Sequence, residues 1–166
     1  MNLYATTADD EAFLLDLLNT TPVVDGVPTD TLADFSAARP WMTDRGIKAT
    51  RAEWAALVDV RAALQGVVRA AESPASLEPF LTAASLVPVA RDDGLDWRLS
   101  GNAAVRAVVA WDGLRTRSPG RLRPCANTEC HLFLIDRSKP NSARWCSMAI
   151  CGNRMKARRH YQRARS

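Results

Sequence analysis

The chain has 166 residues, of which 47% are hydrophobic, and its formal net charge is +4. This length fits one ordinary domain with an appendage, or two small domains, and the apolar fraction is sufficient for a packed core. No apolar run approaches the roughly 18 residues that cross a membrane, and the acidic first residues lack the basic start of a signal peptide. We therefore expect a cytoplasmic protein without membrane-spanning segments.

Charge is distributed unevenly along the chain. From Arg115 onward there are 13 Lys or Arg residues and only two acidic residues, whereas the preceding part has 9 basic and 16 acidic residues. This asymmetry indicates a polyanionic partner for the C-terminal part alone. The alternative is a basic tail that docks on the acidic part of its own chain.

The N-terminal two thirds of the sequence predict a helical bundle with one small β-hairpin. Apolar residues recur at helical spacing, Thr50 and Glu53 form a capping-box pattern, and a helix is expected to stop before Pro40. Two short apolar runs flank an Asp-Asp-Gly turn and predict the hairpin. The predicted helices are Asp9–Asn19, Thr31–Ala38, Arg51–Ala71, Leu77–Ser85 and Ala103–Arg115, and the predicted hairpin strands are Val87–Arg91 and Leu95–Leu99.

Four cysteines dominate the C-terminal part. Cys125 and Cys130 are separated by four residues, Cys146 and Cys151 by four more, and fifteen residues join the two pairs. Two closely spaced pairs of thiolates typically surround one tetrahedral zinc ion. In a reducing cytosol such pairs favour metal over disulfides, which are the alternative interpretation. We therefore predict one zinc ion per chain.

The region around these cysteines resembles the CGNR zinc-finger family. The resemblance covers about forty-five residues and includes both cysteine pairs, an Asp-Arg-Ser turn, and the runs RWCSM and CGNR. In that family the finger usually follows a helical ABATE domain, and the proteins are regarded as stress-induced transcription regulators. The resemblance implies a helical domain followed by a treble-clef-like finger that contacts DNA. The expected linker, Thr116–Pro124, and the reversal of charge place the boundary between residues 1–117 and residues 118–166.

The run LLNTTPVVDG also resembles the opening of ABATE domains, which places Asn19 and Thr20 near a possible ligand pocket. From the residues alone, Asn19 is more simply a helix cap and Thr20 part of a turn. The helical domain would then sense a small-molecule effector or pair two protomers as a homodimer.

In the finger we expect a hairpin of Leu132–Asp136 with Ala143–Cys146, followed by a helix that begins near Ser147. Gly152 would let the backbone approach a cysteine sulfur. Asn153 could donate a hydrogen bond to a zinc-bound thiolate or to adenine, and we favour the thiolate because such donors orient metal ligands.

The last helix carries the predicted nucleic-acid contacts. It has almost no apolar face, so it is either solvated or lies against phosphates. At 100° per residue its cations form two opposite stripes. One stripe holds Arg154, Arg158 and Arg165, and the other holds Lys156, Arg159 and Arg163.

No catalytic motif is recognisable, so we do not expect an enzyme. The two histidines, His131 and His160, both lie in the basic part, and no Ser-His-Asp, HExxH or phosphate-loop pattern occurs. Two alternatives to a DNA-binding regulator are open. One is an RNA-binding protein of the same build, because arginine-rich segments suit RNA equally well. The other is an interaction protein whose zinc knot is structural or redox-sensitive.

Overall fold

The computed structural model describes residues 6–165, which form a helical body followed by a small finger. About half of these residues are helical, and the strands form three separate antiparallel pairs. The elements of the body are, in chain order, α1 (Ala8–Leu18), β1 (Val23–Val24), β2 (Val27–Pro28), α2 (Phe35–Asp44), α3 (Arg51–Val68), a 3-10 helix (Pro74–Leu81), β3 (Ser85–Arg91), β4 (Gly94–Ser100) and α4 (Ala103–Arg117). The predicted class, mainly α with a C-terminal cluster of four cysteines, is confirmed.

The core of the body lies between α1, α3 and α4. α1 begins with a reciprocal capping box, in which Thr7 accepts from the Asp10 backbone and the Asp10 side chain accepts from the Thr7 backbone. The apolar faces of the three helices then meet, as their spacing predicts. Their fully buried side chains include Leu14, Leu17, Leu18, Leu57, Val60, Leu64, Ala107, Ala110 and Leu114.

The expected capping box at Thr50 is only half formed. The Thr50 hydroxyl accepts from the Glu53 backbone, as predicted, at 3.2 Å. The Glu53 side chain, however, accepts from the backbone of Ala103, fifty residues away, at 3.2 Å. Glu53 therefore ties the start of α3 to the start of α4, where the positive end of the α4 dipole favours a carboxylate.

The second helix was predicted as Thr31–Ala38 and is in fact Phe35–Asp44, with Pro40 inside it. Asp34 caps it, since its carboxylate accepts from Ser36 N and Ala37 N at 2.8 and 3.0 Å. Pro40 costs the helix one backbone hydrogen bond. The buried positions Ala38 and Met42 lie four residues apart on one face, and their packing offsets that cost.

Two further elements differ from the prediction. Leu77–Ser85 was expected to be a helix, but the chain forms a 3-10 helix that begins earlier, at Pro74, after the Ser73 cap. Val23–Val24 and Val27–Pro28, where no strands were predicted, pair around Asp25 and Gly26. Both turn residues have positive φ, +50° and +80°, as a tight hairpin turn requires.

The β3–β4 hairpin has the predicted position and a seven-residue register from Ser85↔Ser100 to Arg91↔Gly94. Each of its residues is exposed or only half-buried, and none belongs to the hydrophobic core. The hairpin therefore projects from the body.

The finger consists of β5 (Leu122–Pro124), β6 (Phe133–Ile135), a π-helical turn (Met148–Gly152) and α5 (Asn153–Ala164). The predicted pairing of Leu132–Asp136 with Ala143–Cys146 is wrong, because β6 pairs with β5 instead. The ladder continues beyond the strands, since Asp136 N donates to Arg121 O and Cys125 N donates to Leu132 O. Residues expected to form a linker thus supply a strand.

The finger also completes the core of the body. Phe133 is 1% exposed and belongs to the same cluster as Leu14 and Leu64. The side chain of Asn19, at the end of α1, forms two hydrogen bonds with the backbone of Phe133. Phe133 N donates to Asn19 Oδ1 at 2.7 Å, and Asn19 Nδ2 donates to Phe133 O at 3.2 Å. The Arg69 guanidinium lies 4.3 Å from the centre of the Phe133 ring. α4 ends at Arg117, but the parts before and after it share one core.

A buried ion pair links α3 to the loop before α2. Arg61 is buried, and its two terminal nitrogens bind the two oxygens of Asp30 at 2.6 and 2.8 Å. Burial by itself would raise the pKa of the Asp30 carboxyl, but the hydrogen bonds from Arg61 and from Leu32 N lower it overall. A carboxyl with a lowered pKa stabilises the fold above its ordinary pKa, and this contribution is lost as the pH falls through the lowered value.

We expect Arg61→Ala to lower the free energy of unfolding by about 3 kcal/mol, because it leaves a partly buried carboxylate without its partner. Arg115→Ala is the control. Arg115 pairs with Asp112 at 2.6 Å, but both side chains are exposed, so its loss should cost no more than about 1 kcal/mol. Urea unfolding at neutral pH measures the free energy of unfolding of both variants. Equal losses would contradict a stabilising role for the buried Arg61–Asp30 ion pair.

Candidate metal centre

Four thiol groups converge between the strands of the finger and the start of α5. The Sγ atoms of Cys125, Cys130, Cys146 and Cys151 all lie within 4.8 Å of one another, and all four residues are free cysteines. Cys146 Sγ is 3.7 Å from both Cys130 Sγ and Cys151 Sγ. A zinc ion bound to four thiolates at about 2.3 Å would hold tetrahedral sulfurs about 3.8 Å apart. The donor set and its spacing therefore fit one zinc ion.

Short-range backbone contacts hold each cysteine pair. In the first pair, Cys130 N donates to Asn127 O at 2.8 Å, which closes a tight turn. In the second pair, Cys146 N lies 3.5 Å from Cys125 Sγ and so links the two pairs. The Ser147 hydroxyl caps the π-helical turn that presents Cys151. Each thiol thus projects from a turn whose geometry follows from the local sequence.

Asn127, rather than Asn153, donates a hydrogen bond to a cysteine sulfur. Asn127 is 0% exposed, and its Nδ2 lies 3.5 Å from Cys151 Sγ. Asn153 is exposed, and its amide donates to Ala149 O at 3.2 Å, one helical turn back. The position of Asn127 inside the first cysteine pair is the one sequence signal for this contact.

Gly152 directly follows Cys151 and is closely packed on its other side. A Cβ atom at this position would lie 2.8 Å from Met148 Sδ and 3.2 Å from Trp145 Cδ1. Glycine lets Trp145 and Met148 close over the start of α5.

The thiols differ in their affinity for protons. Burial raises the pKa of Cys130 to about 11 and raises the pKa of Cys146 as well. Burial would also raise the pKa of Cys151, but hydrogen bonds from Asn127 and the neighbouring thiols lower it overall. A bound metal must displace these protons, so metal affinity will rise with pH.

Two family models together match nearly the whole chain. Residues 11–127 match the ABATE family, whose description is "Putative stress-induced transcription regulator", and residues 121–164 match the CGNR zinc finger. The chain belongs to the ABATE family. No curated protein matches it. The CGNR match and the cysteine cluster agree on a zinc-binding finger with one zinc ion.

The two matches of this ABATE protein overlap over residues 121–127, which include β5. The overlap corresponds to the shared core, since Leu122 of β5 and Ile135 of β6 both pack against the helical body. Among residues 6–165 no helix combines the length and apolar character needed to cross a bilayer.

Asp136 holds the long loop between the cysteine pairs of the ABATE protein. It is buried, and its carboxylate accepts from Ser138 N and Ala143 N at 2.8 Å each and from Arg123 at 3.1 Å. The sequence predicts only an Asp-Arg-Ser turn at Asp136. Its contacts with residues on both sides of the loop could not be read from spacing alone.

Asn19 and Thr20 have structural contacts. Asn19 binds the backbone of Phe133, as described above. The buried Thr20 hydroxyl donates to Leu17 O and accepts from Arg61, both at 2.8 Å. Asn19 also lines a cavity of about 370 Å³ between α1 and the finger. Its other walls include Leu15, Val23, Ile150 and Arg154, and also three of the zinc-binding cysteines, Cys130, Cys146 and Cys151, so the cavity adjoins the metal centre.

The six predicted nucleic-acid contacts all lie on or directly after α5, which has no buried residue. Arg158 forms an ion pair with Glu129 of the first cysteine turn. No carboxylate within residues 6–165 pairs with the other five, which are Arg154, Lys156, Arg159, Arg163 and Arg165. The ion pair turns the Arg154 and Arg158 stripe toward the finger, so the Lys156, Arg159 and Arg163 stripe faces solvent.

Proposed function

We propose that this protein is a zinc-dependent, DNA-binding transcription regulator that acts by binding rather than catalysis, in the cytoplasm. The observation that carries the proposal is the exposed basic stripe on α5, which directly follows the zinc-binding thiols. A rigid metal centre at the start of a helix fixes the direction of that helix, which lets its cations meet phosphates without first being ordered.

The alternative of a basic tail docked on its own acidic domain accounts for other cations. Arg137 of the tail binds Glu11 of α1 at 2.7 Å. In the opposite direction, Arg69 at the end of α3 donates to His131 O of the tail at 3.1 Å. These contacts hold the body of the finger against α1 and α3. Lys156, Arg159 and Arg163 take no part in them, which supports a partner outside the chain.

The helical body would then regulate the finger. The cavity between α1 and the finger supports a ligand-sensing role, because it is bordered both by the end of α1 and by Arg154 of α5. A small-molecule effector bound there would contact both parts of the chain. Two protomers brought together by the body would present two basic helices to one duplex.

A salt titration tests the proposal. Each phosphate neutralised on duplex DNA contributes about −0.9 to the slope of log K against log salt. We expect replacing Lys156, Arg159 and Arg163 together by alanine to reduce the steepness of this slope by about 2 to 3. The control replaces three exposed arginines of the body, Arg39, Arg51 and Arg98, which changes the net charge equally.

Four outcomes of this titration are decisive. A loss of slope confined to the α5 variant supports the proposal. Equal losses of slope in both variants would show that binding depends only on the net charge of the protein. Tighter binding to duplex RNA than to duplex DNA would favour the RNA-binding alternative. If no nucleic acid binds at low salt, the zinc knot has a structural or redox role. Arg154→Ala adds a test of base reading: if Arg154 reads a guanine, the change should cost about 1–3 kcal/mol and relax the preference at one base pair.

A further inference from the structure

The β3–β4 hairpin has one face that is entirely apolar. Side chains of successive strand residues point to opposite sides, so the register assigns each cross-strand pair to one face. Leu86 pairs with Leu99, Pro88 with Trp97 and Ala90 with Leu95, and these three pairs alternate with polar ones such as Val87↔Arg98 and Val89↔Asp96. We call the set Leu86, Pro88, Ala90, Leu95, Trp97 and Leu99 the hairpin apolar face.

Most of this face is uncovered in the single chain: Leu86, Pro88, Ala90 and Leu95 are exposed, whereas Trp97 and Leu99 are half-buried. Leu95 is 65% exposed and Leu86 is 37% exposed. None of the six residues packs against the hydrophobic core of the described body. A two-stranded hairpin with no partner is only marginally stable in water. An ordered apolar surface of this kind marks an interaction site.

The two ends of the hairpin apolar face carry charges of opposite sign. The tip carries Asp92 and Asp93, both exposed. The base lies beside a hollow of about 300 Å³ that is bordered by Leu99, Arg45, Lys48, Glu53 and Arg106. Arg45 and Arg106 already bind Asp16 and Asp10, whereas no carboxylate within residues 6–165 pairs with Lys48.

We infer that the chain forms a two-fold symmetric homodimer in which the hairpin apolar faces of two copies pack antiparallel to each other. In this arrangement each acidic tip reaches the base of the other hairpin, where Asp92 and Asp93 meet Lys48 of the second copy. A seven-residue strand is about 24 Å long, so tip and base are far enough apart for the two charged contacts to be separate. Because the dimer is two-fold symmetric, the two charged contacts are identical and form together.

The homodimer defines the oligomerisation role considered under the proposed function, but it does not depend on nucleic-acid binding. Its test therefore uses the zinc-loaded full-length chain alone. Sedimentation equilibrium at tens of micromolar should give the mass of a dimer. A monomer under these conditions would overturn the inference and leave the face to a different protein.

Two variants distinguish the two faces of the hairpin. Leu95→Arg, on the apolar face, should raise the dimer dissociation constant at least tenfold, which is about 1.4 kcal/mol. Val87→Arg is the matched control on the opposite face, where Val87 is 45% exposed, and should leave the constant unchanged. Because both positions are exposed, neither change should unfold the chain. Equal effects of the two variants would contradict the assignment of the face.

A charge exchange tests the antiparallel arrangement. Asp93→Lys and Lys48→Asp should each weaken the dimer, because each places like charges at the tip-to-base contact. Together they should restore most of the affinity, since the contact is re-formed with its signs reversed. Additive losses in the double variant would show that the tip does not meet the base of the other copy.

Discussion

Cys151→Ala should abolish zinc binding and unfold the finger. Cys151 is buried, its sulfur lies 3.7 Å from Cys146 Sγ, and it accepts a hydrogen bond from Asn127. Beyond the metal, the finger has few buried apolar side chains of its own, chiefly Phe133 and Leu134. Structural zinc contributes an apparent 10–16 kcal/mol in small zinc fingers, which far exceeds what so small a core supplies.

Metal analysis of the purified protein measures this prediction directly. We expect one zinc ion per wild-type chain and none in Cys151→Ala. His131→Ala is the control, because His131 adjoins Cys130 in sequence but its side chain is exposed. It should retain the zinc ion. A wild-type chain that is folded, metal-free and disulfide-bonded would overturn the zinc assignment, and zinc loss in His131→Ala would make His131 a ligand.

Phe133→Ala should destabilise the helical body although the residue lies in the finger. The ring is 1% exposed, it packs in the core of the body, and the Arg69 guanidinium covers it at 4.3 Å. Removing a buried phenylalanine costs about 3–5 kcal/mol, because the lost contacts leave a cavity. We therefore expect a large drop in the free energy of unfolding without loss of the zinc ligands.

Urea unfolding followed by the helical signal measures this effect. Ile150→Ala is the control, since Ile150 is an exposed apolar residue of the same finger and should change stability by no more than about 0.5 kcal/mol. A fragment that ends at Arg117 should lose more, because it lacks Leu122, Ile135 and the Arg137–Glu11 ion pair in addition to the Phe133 ring. If Phe133→Ala and Ile150→Ala behaved alike, the finger would not contribute to the stability of the body.

The zinc-binding residues could be predicted because their signal is local. Each cysteine pair spans six residues, and the chemistry of four thiolates at this spacing leaves few alternatives. The β3–β4 hairpin was equally readable, since two apolar runs flank an Asp-Asp-Gly turn. Helix starts were accurate where a side chain caps the backbone within three residues, as at Thr50 and Asn102.

Features that depend on distant partners were not predictable. The sequence suggested that Ala143–Cys146 pairs with Leu132–Asp136, but Leu122–Pro124 lies beside that strand instead. Glu53 matched a capping box, yet a nearby helix start at Ala103 competes for its carboxylate. Nothing in the sequence around Phe133 indicates that its ring packs in the helical body, beside Asn19 and Arg69.

The Asn19–Phe133 contact joins residues 114 positions apart, and this separation constrains how the protein matures during synthesis. A ribosome makes the chain from its N-terminus at about 5–20 residues per second, so all of α1 to α4 is synthesised before Phe133 exists. Until then the nascent helical body has an open apolar gap at Asn19 and Arg69. That gap closes only when the finger folds, and the finger needs zinc to fold. A chain that has not yet received zinc therefore keeps apolar surface exposed and is prone to aggregate.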